Sequence, residues 1–196
     1  MRRAAPPPRR LSPPAPPPAR LIRWCYFELL TASIVKDKSC LWDLNLHQEG
    51  APITFNQCTL CLRTKGTRPP LTSPEQMATE LREGVASGEI GFTSGADADV
   101  VIALYTKGFV GAFDTALQYI SGITIFYMDL GWGTAEVPTL VAALEYAEAH
   151  CRPKDEEGEE DANMYLSFIN NEFTDAEKAR LRAAIPEGST KFEINT

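Results

Sequence analysis

The stretch "LSFINNEFTDAEKARLRAAIP", Leu166 to Pro186, changes its period half-way along. Leu166 and Phe168 are separated by one polar residue, the two-residue period of a strand. Leu181, Ala184 and Ile185 stand at i, i+3 and i+4, the period of one helical face. A lone strand–turn–helix of this size cannot bury its own apolar faces, so the fold depends on whether the chain contains a second one.

A second copy lies 41 positions earlier. Ile125 falls under Leu166, Tyr127 under Phe168 and Trp132 under Phe173. Ala135-Glu136 falls under Ala176-Glu177, Leu140 under Leu181, and Ala142–Leu144 under Ala183–Ile185. The alignment assigns Trp132 to the core position of Phe173. A third strand is expected at "KFEIN", Lys191–Asn195, with Phe192 and Ile194 under Leu166 and Phe168.

Leu166, Phe168, Asn171, Phe173, Leu181, Ala184 and Ile185 fill the pattern L-x-L-x-x-N-x-L…L-x-x-A-L. That pattern resembles the leucine-rich repeat of the ribonuclease-inhibitor type. The resemblance implies an α/β solenoid of about 2–3 βα repeats over residues 123–196. Asn171 would satisfy backbone groups of the neighbouring coil, because an amide side chain both donates and accepts. The small Ala184 would let its helix approach the strand closely. Three features depart from the pattern. Glu136 and Glu177 stand where such repeats often have glycine, and Leu130 stands where the earlier copy should have asparagine. The spacing of 41 also exceeds the family period of about 28 residues. The surplus falls in "HCRPKDEEGEEDAN", 150–163, whose six acids against Arg152 and Lys154 read as a solvated inserted loop. The longer phrase "ALYTKGFVGAFDTA…LGWGTAEVPTLVAALEYA" is similar to short leucine-rich-repeat proteins of single-celled algae, a likeness covering 73–196 that implies a fold and no particular activity.

Residues 71–122 are expected to form a helical cap for the open end of the array, since about three repeats are usually needed for stability. "SPEQ", Ser73–Gln76, has the form of a capping box with Pro at the first helical position, and Met77, Leu81 and Val85 then share a face. A second helix is expected from Asp97 to Gly108 with Val101, Leu104 and Tyr105 inward. A third would carry Phe109, Phe113, Ala116, Leu117 and Ile120.

Charge divides the chain. Residues 1–70 hold eleven Lys/Arg and four Asp/Glu, a net +7; residues 71–196 hold eight and twenty-two, a net −14. The acidic part is a poor nucleic-acid surface, which requires clustered cations. Residues 1–20 contain eight prolines and five of the six arginines that precede the first acid, Glu28. They read as a disordered Pro/Arg-rich tail, with organelle targeting or binding to proline-recognising domains as functional readings. Residues 21–70 are irregular: Leu21–Val35 reads as one helix or a buried strand pair, and "ITFNQCTLCLR", Ile53–Arg63, alternates like a strand. No apolar run reaches membrane-spanning length. Five cysteines are an odd number, and an intracellular, reducing compartment is the expectation.

Signs of catalysis are few. Cys40, His47, Cys58 and Cys61 have ligand types suited to zinc, but a single C-x-x-C within an alternating stretch is a weak signature. His150 adjoins Cys151, and neighbouring residues seldom face each other as a nucleophile and base must. The expectation is a non-enzymatic protein-interaction module without cofactor, binding an unidentified protein partner. Its candidate surface is the outward strand face: Phe126, Met128, Tyr165, Ser167, Ile169, Lys191 and Glu193. The alternatives are an accessory subunit of a larger assembly anchored through residues 1–70, and a zinc-binding N-terminal module fused to the repeats.

Overall fold

The computed structural model describes residues 23–35, 68–92, 97–119, 124–151, 164–189 and 191–196. In chain order these hold α1 (Arg23–Val35), α2 (Pro74–Ala86), α3 (Asp97–Tyr119), β1 (Thr124–Phe126), α4 (Val137–His150), β2 (Met164–Ser167), α5 (Asp175–Ala183) and β3 (Phe192–Asn195). The fold is mixed α/β. The Pro/Arg-rich tail, the stretch Ile53–Arg63 and nearly all of the acidic segment lie outside the described residues.

The three strands form one parallel sheet in the order β1-β2-β3. Ile125 lies opposite Leu166, so β1 and β2 pair at the spacing of 41 seen in the sequence. The third strand pairs differently from expectation: Ile194 lies opposite Leu166 and Phe192 opposite Met164, a spacing of 28. Met164 is itself buried, and a slip of two residues leaves every side chain on its original face, so the apolar pattern alone does not choose between the registers. Main-chain bonds carry the pairing past the strands. Tyr127 donates to Ser167 (2.7 Å), Phe168 to Asn195 (2.7 Å), and Glu172 to Trp132 (2.6 Å).

The inward strand residues Ile125, Met164, Leu166 and Phe192 share a core with Leu140, Ala143, Leu144 and Ala147 of α4 and Leu181 of α5. Trp132 is 2% exposed, as its alignment with Phe173 requires. Tyr127 stacks on Phe168 with centroids 5.2 Å apart, and Trp132 lies 5.8 Å from Tyr127. Such pairs contribute roughly 0.5–1.5 kcal/mol each beyond their buried area.

The helical region differs from its sequence reading in three respects. Helix α3 runs unbroken through Gly108, so two helices replace the expected three. The buried face of Val101, Tyr105, Phe109 and Phe113 holds the helix across the glycine, and burial outweighs propensity there. α1 passes over the same point, with Thr31 Cγ2 3.7 Å from the position a Gly108 Cβ would take. Second, Leu104 and Val85 face solvent, at 49% and 38% exposure. Third, the box at Ser73 is half formed: Ser73 Oγ accepts from the Gln76 amide (3.1 Å), but the Gln76 side chain donates to Glu80 and to Thr139 of α4 instead. α3 also reaches the third strand, since Phe113 meets the edge of Phe192 at the start of β3 (5.7 Å, 87°). The side chains of Ala116 and Leu117, and Ile120, lie outside the described residues.

Candidate functional site

Strand register sorts the outward residues into rows across the sheet. Thr124, Tyr165 and Glu193 form one row; Phe126, Ser167 and Asn195 form the next. Tyr165, on the central strand, is 37% exposed, and Glu193 beside it is also exposed. Met128 and Ile169 follow β1 and β2 and are half-buried. The Phe126 side chain lies outside the described residues.

Two of the expected surface residues are placed otherwise. Ser167 is 3% exposed, because the shortest side chain on the central strand is shaded by its flanking strands. Lys191 turns toward α4 and donates its ammonium to the Glu148 carbonyl in the helix's last turn, where the partial negative charge of the helix end favours a cation. The surface that remains is Tyr165 and Glu193, flanked by Met128 and Ile169.

The turn after β2 is organised by Asn171. Its Oδ1 accepts from the amides of Leu130 (3.0 Å) and Trp132 (3.2 Å) in the preceding turn. Its Nδ2 donates to the carbonyls of Tyr127 (2.6 Å) and Phe168 (2.9 Å). One amide thus satisfies two donors and two acceptors and sets both turns in register. Asp129 and Asn170, 41 positions apart, both adopt left-handed backbone (φ 56° and 60°), which short polar side chains tolerate best. Glu136 and Glu177, 41 positions apart, each fold back on the residue three before: the Gly133 amide donates to Glu136 (2.7 Å) and the Thr174 amide to Glu177 (2.8 Å). The Thr134 hydroxyl, then the Thr174 amide and hydroxyl, hold the Glu177 carboxyl below the usual carboxylate range.

Arg68 carries no signal in the sequence beyond preceding Pro69 and Pro70. It is 3% exposed, donates to the Ser33 carbonyl (2.6 Å), lies 5.2 Å over the Tyr127 ring, and accepts Trp132 Nε1 on its own carbonyl (3.1 Å). The Tyr127 hydroxyl donates to the Ile34 carbonyl. Burial pushes the Tyr127 phenol upward, with Arg68 opposing, so it remains a neutral donor. α1 is thereby fixed to the turn after β1, and its body packs on α3 through Phe27 and Tyr105 (6.2 Å).

His150 and Cys151 occupy different environments. The His150 ring is exposed and stacks on Tyr146 (4.0 Å). The Cys151 thiol is buried, and burial together with Asp114 pushes it up to about 12. A thiol so hard to ionise is a poor nucleophile at neutral pH. Cys40, His47, Cys58 and Cys61 lie outside the described residues. Among the described residues no three His, Cys, Asp or Glu side chains cluster as a metal site would require. An open cleft of ≈ 350 Å³ lies between the end of α5 and β3, lined by Arg182, Ile185, Pro186, Phe192 and Ile194 among others. Arg182 at its rim donates to the Thr196 hydroxyl (2.5 Å). Among the described residues no helix is long and apolar enough to cross a membrane. No protein-family model matches the chain, and neither a curated protein nor a solved structure matches it significantly.

Proposed function

We propose that residues 123–196 are a short leucine-rich-repeat array of the ribonuclease-inhibitor type, and that the chain is a non-enzymatic protein-interaction module using its strand face. The four-bonded Asn171, the parallel strands and the spacing of 28 between β2 and β3 support the repeat reading. The observation that carries the interaction reading is Tyr165, an aromatic side chain 37% exposed in the middle of a strand face and beside the carboxylate of Glu193. Tyrosine supplies a large, rigid contact area with a polar tip, and such residues recur among interface hot spots. Half-buried Met128 and Ile169 extend the apolar surface around it.

The test is affinity purification of the full chain with quantitative mass spectrometry, wild type against Tyr165→Asp. The expected result is a set of proteins recovered with the wild type and lost with the variant, while the thermal midpoint stays unchanged. Recovery of the same proteins by both chains at equal yield refutes the strand face as the contact surface.

A further inference from the structure

The register of β2 and β3 fixes which way each backbone group of β3 points. The Lys191 carbonyl accepts from the Met164 amide (2.9 Å) and the Asn195 carbonyl from the Phe168 amide (2.7 Å). The odd-numbered residues of β3 therefore turn their polar groups toward β2, and Phe192, Ile194 and Thr196 turn theirs the other way. The Phe192 amide donates to the Ser189 hydroxyl (3.5 Å). Among the described residues no strand pairs with that side, and β3 ends the sheet. The Phe192 carbonyl, both groups of Ile194 and the Thr196 amide thus line an open edge.

Sheet edges are commonly blunted by proline, lysine or a bulge. β3 contains no proline or lysine and keeps a regular register with β2 throughout, and the neighbouring Lys191 is drawn to α4 instead. Beside this edge lies the ≈ 350 Å³ cleft between β3 and the end of α5. Its apolar wall is Ile185, Pro186, Phe192 and Ile194, and Arg182 stands where it reaches Thr196. The cleft is open to solvent, unlike the pockets that bury most of a small molecule.

We propose that this edge binds an extended peptide of another protein, which adds to the sheet as a fourth strand antiparallel to β3. Antiparallel pairing is the slightly more stable arrangement, and the residue opposite Ile194 exchanges both main-chain bonds with it. Alternate side chains of the peptide face opposite ways, and the surroundings select them. Those opposite Phe192 and Ile194 enter the cleft and are aliphatic. The one opposite Glu193 lies on the exposed face beside that carboxylate and is a lysine or arginine. The one opposite Thr196 comes to Arg182 and is an aspartate or glutamate. A guanidinium has five donors, and that of Arg182 gives one to the Thr196 hydroxyl. Along the peptide the pattern is acid, any residue, aliphatic, cation, aliphatic. This edge is separate from the strand face around Tyr165. Glu193 borders both, but peptide addition does not require that face to have a partner.

The probe is a fluorescein-labelled peptide, Thr-Glu-Thr-Leu-Lys-Val-Thr, titrated with the full chain and read by fluorescence anisotropy. An interface below standard size is expected to give a Kd of about 10–500 µM. Methylation of one backbone nitrogen separates strand addition from adhesion to an apolar cleft. At the leucine, whose amide meets the Ile194 carbonyl, it should weaken binding by about tenfold or more; at the lysine, whose amide faces away, by less than about threefold. Both peptides leave the protein unaltered, so neither result depends on a variant folding. In the protein, Ile194→Pro removes the outward amide at a position where an edge strand tolerates proline, and should cost about tenfold. Arg182→Glu, at an exposed position, should cost about threefold or more, less at high salt. Circular dichroism checks that each variant keeps its fold. Tyr165→Ala, on the strand face, should leave the affinity unchanged, so failure here and failure of the strand face are read apart. Absence of binding at about 1 mM chain overturns the proposal. So do equal affinities for the two methylated peptides, or wild-type affinity in a folded Ile194→Pro or Arg182→Glu chain.

Discussion

The unit from β1 to α4 and the unit from β2 to α5 share strand pairing, left-handed turn residues and a glutamate folded back on the residue three before it, yet they differ at the centre of the turn and at the helix cap. The second unit has Asn171, with four hydrogen bonds, where the first has Leu130, which is fully buried. Three of those four bonds go backward, to Tyr127, Leu130 and Trp132 of the first unit's turn. The first unit has helices before it instead of another turn. It is joined to them through Tyr127 to Ile34, and through Arg68, which accepts from Trp132 and donates to Ser33 of α1. A polar hub is useful where a turn lies beside another turn whose amides and carbonyls need partners; against packed helices an apolar side chain serves better. The pair also differ in capping. Thr174 accepts the Glu177 amide on its hydroxyl, completing a capping box at the start of α5, whereas α4 is entered through Glu136 with no side-chain cap bond, the Glu136 amide donating to the Gly133 carbonyl (3.1 Å).

The comparison can be broken at its strongest point first. Asn171→Leu strands two amides and two carbonyls at once, and a loss of about 3–5 kcal/mol is expected from urea unfolding. Leu130→Asn should not compensate in the double variant, because position 130 faces the core. If Leu130→Asn alone is neutral, the distinction between the two units is wrong. Thr174→Ala tests the capping difference, because it removes the hydroxyl that accepts the Glu177 amide at the start of α5. A loss of roughly 0.5–2 kcal/mol in thermal unfolding is expected for such a cap. The smallest effect is in acid. Because the folded-state Glu177 carboxyl lies below its ordinary value of 4.5, its contribution is present above that pH and is lost as pH falls through the depressed value. Glu177→Gln should therefore show a shallower decline of stability below about pH 4.5 than wild type. An unchanged acid limb would mean that the Thr134 and Thr174 contacts do not hold in solution.

Much of the strand–helix region was legible. Period two at Leu166–Phe168, helical spacing at Leu181–Ile185 and the spacing of 41 all reappear in the strand register and the buried set. The capping box at Thr174–Glu177 also has its sequence form, T-x-x-E, at a position where the repeat pattern favours glycine. Less of the surface was legible. Lys191 and Ser167 have the outward parity of a strand, but one reaches a helix end and the other is shaded by neighbouring strands, and parity reports neither.

The sequence by itself determined which residues alternate, which recur at helical spacing and where an asparagine could join two turns, because these depend on local geometry and on side-chain chemistry. Only the tertiary structure decided the two-residue choice of register for β3, the continuity of α3 through Gly108, the burial of Arg68 and the outward turn of Val85, Val100 and Leu104. Each of these depends on what lies opposite in space. An apolar face fits equally well against a core or a second molecule, and a pattern along the chain does not distinguish them.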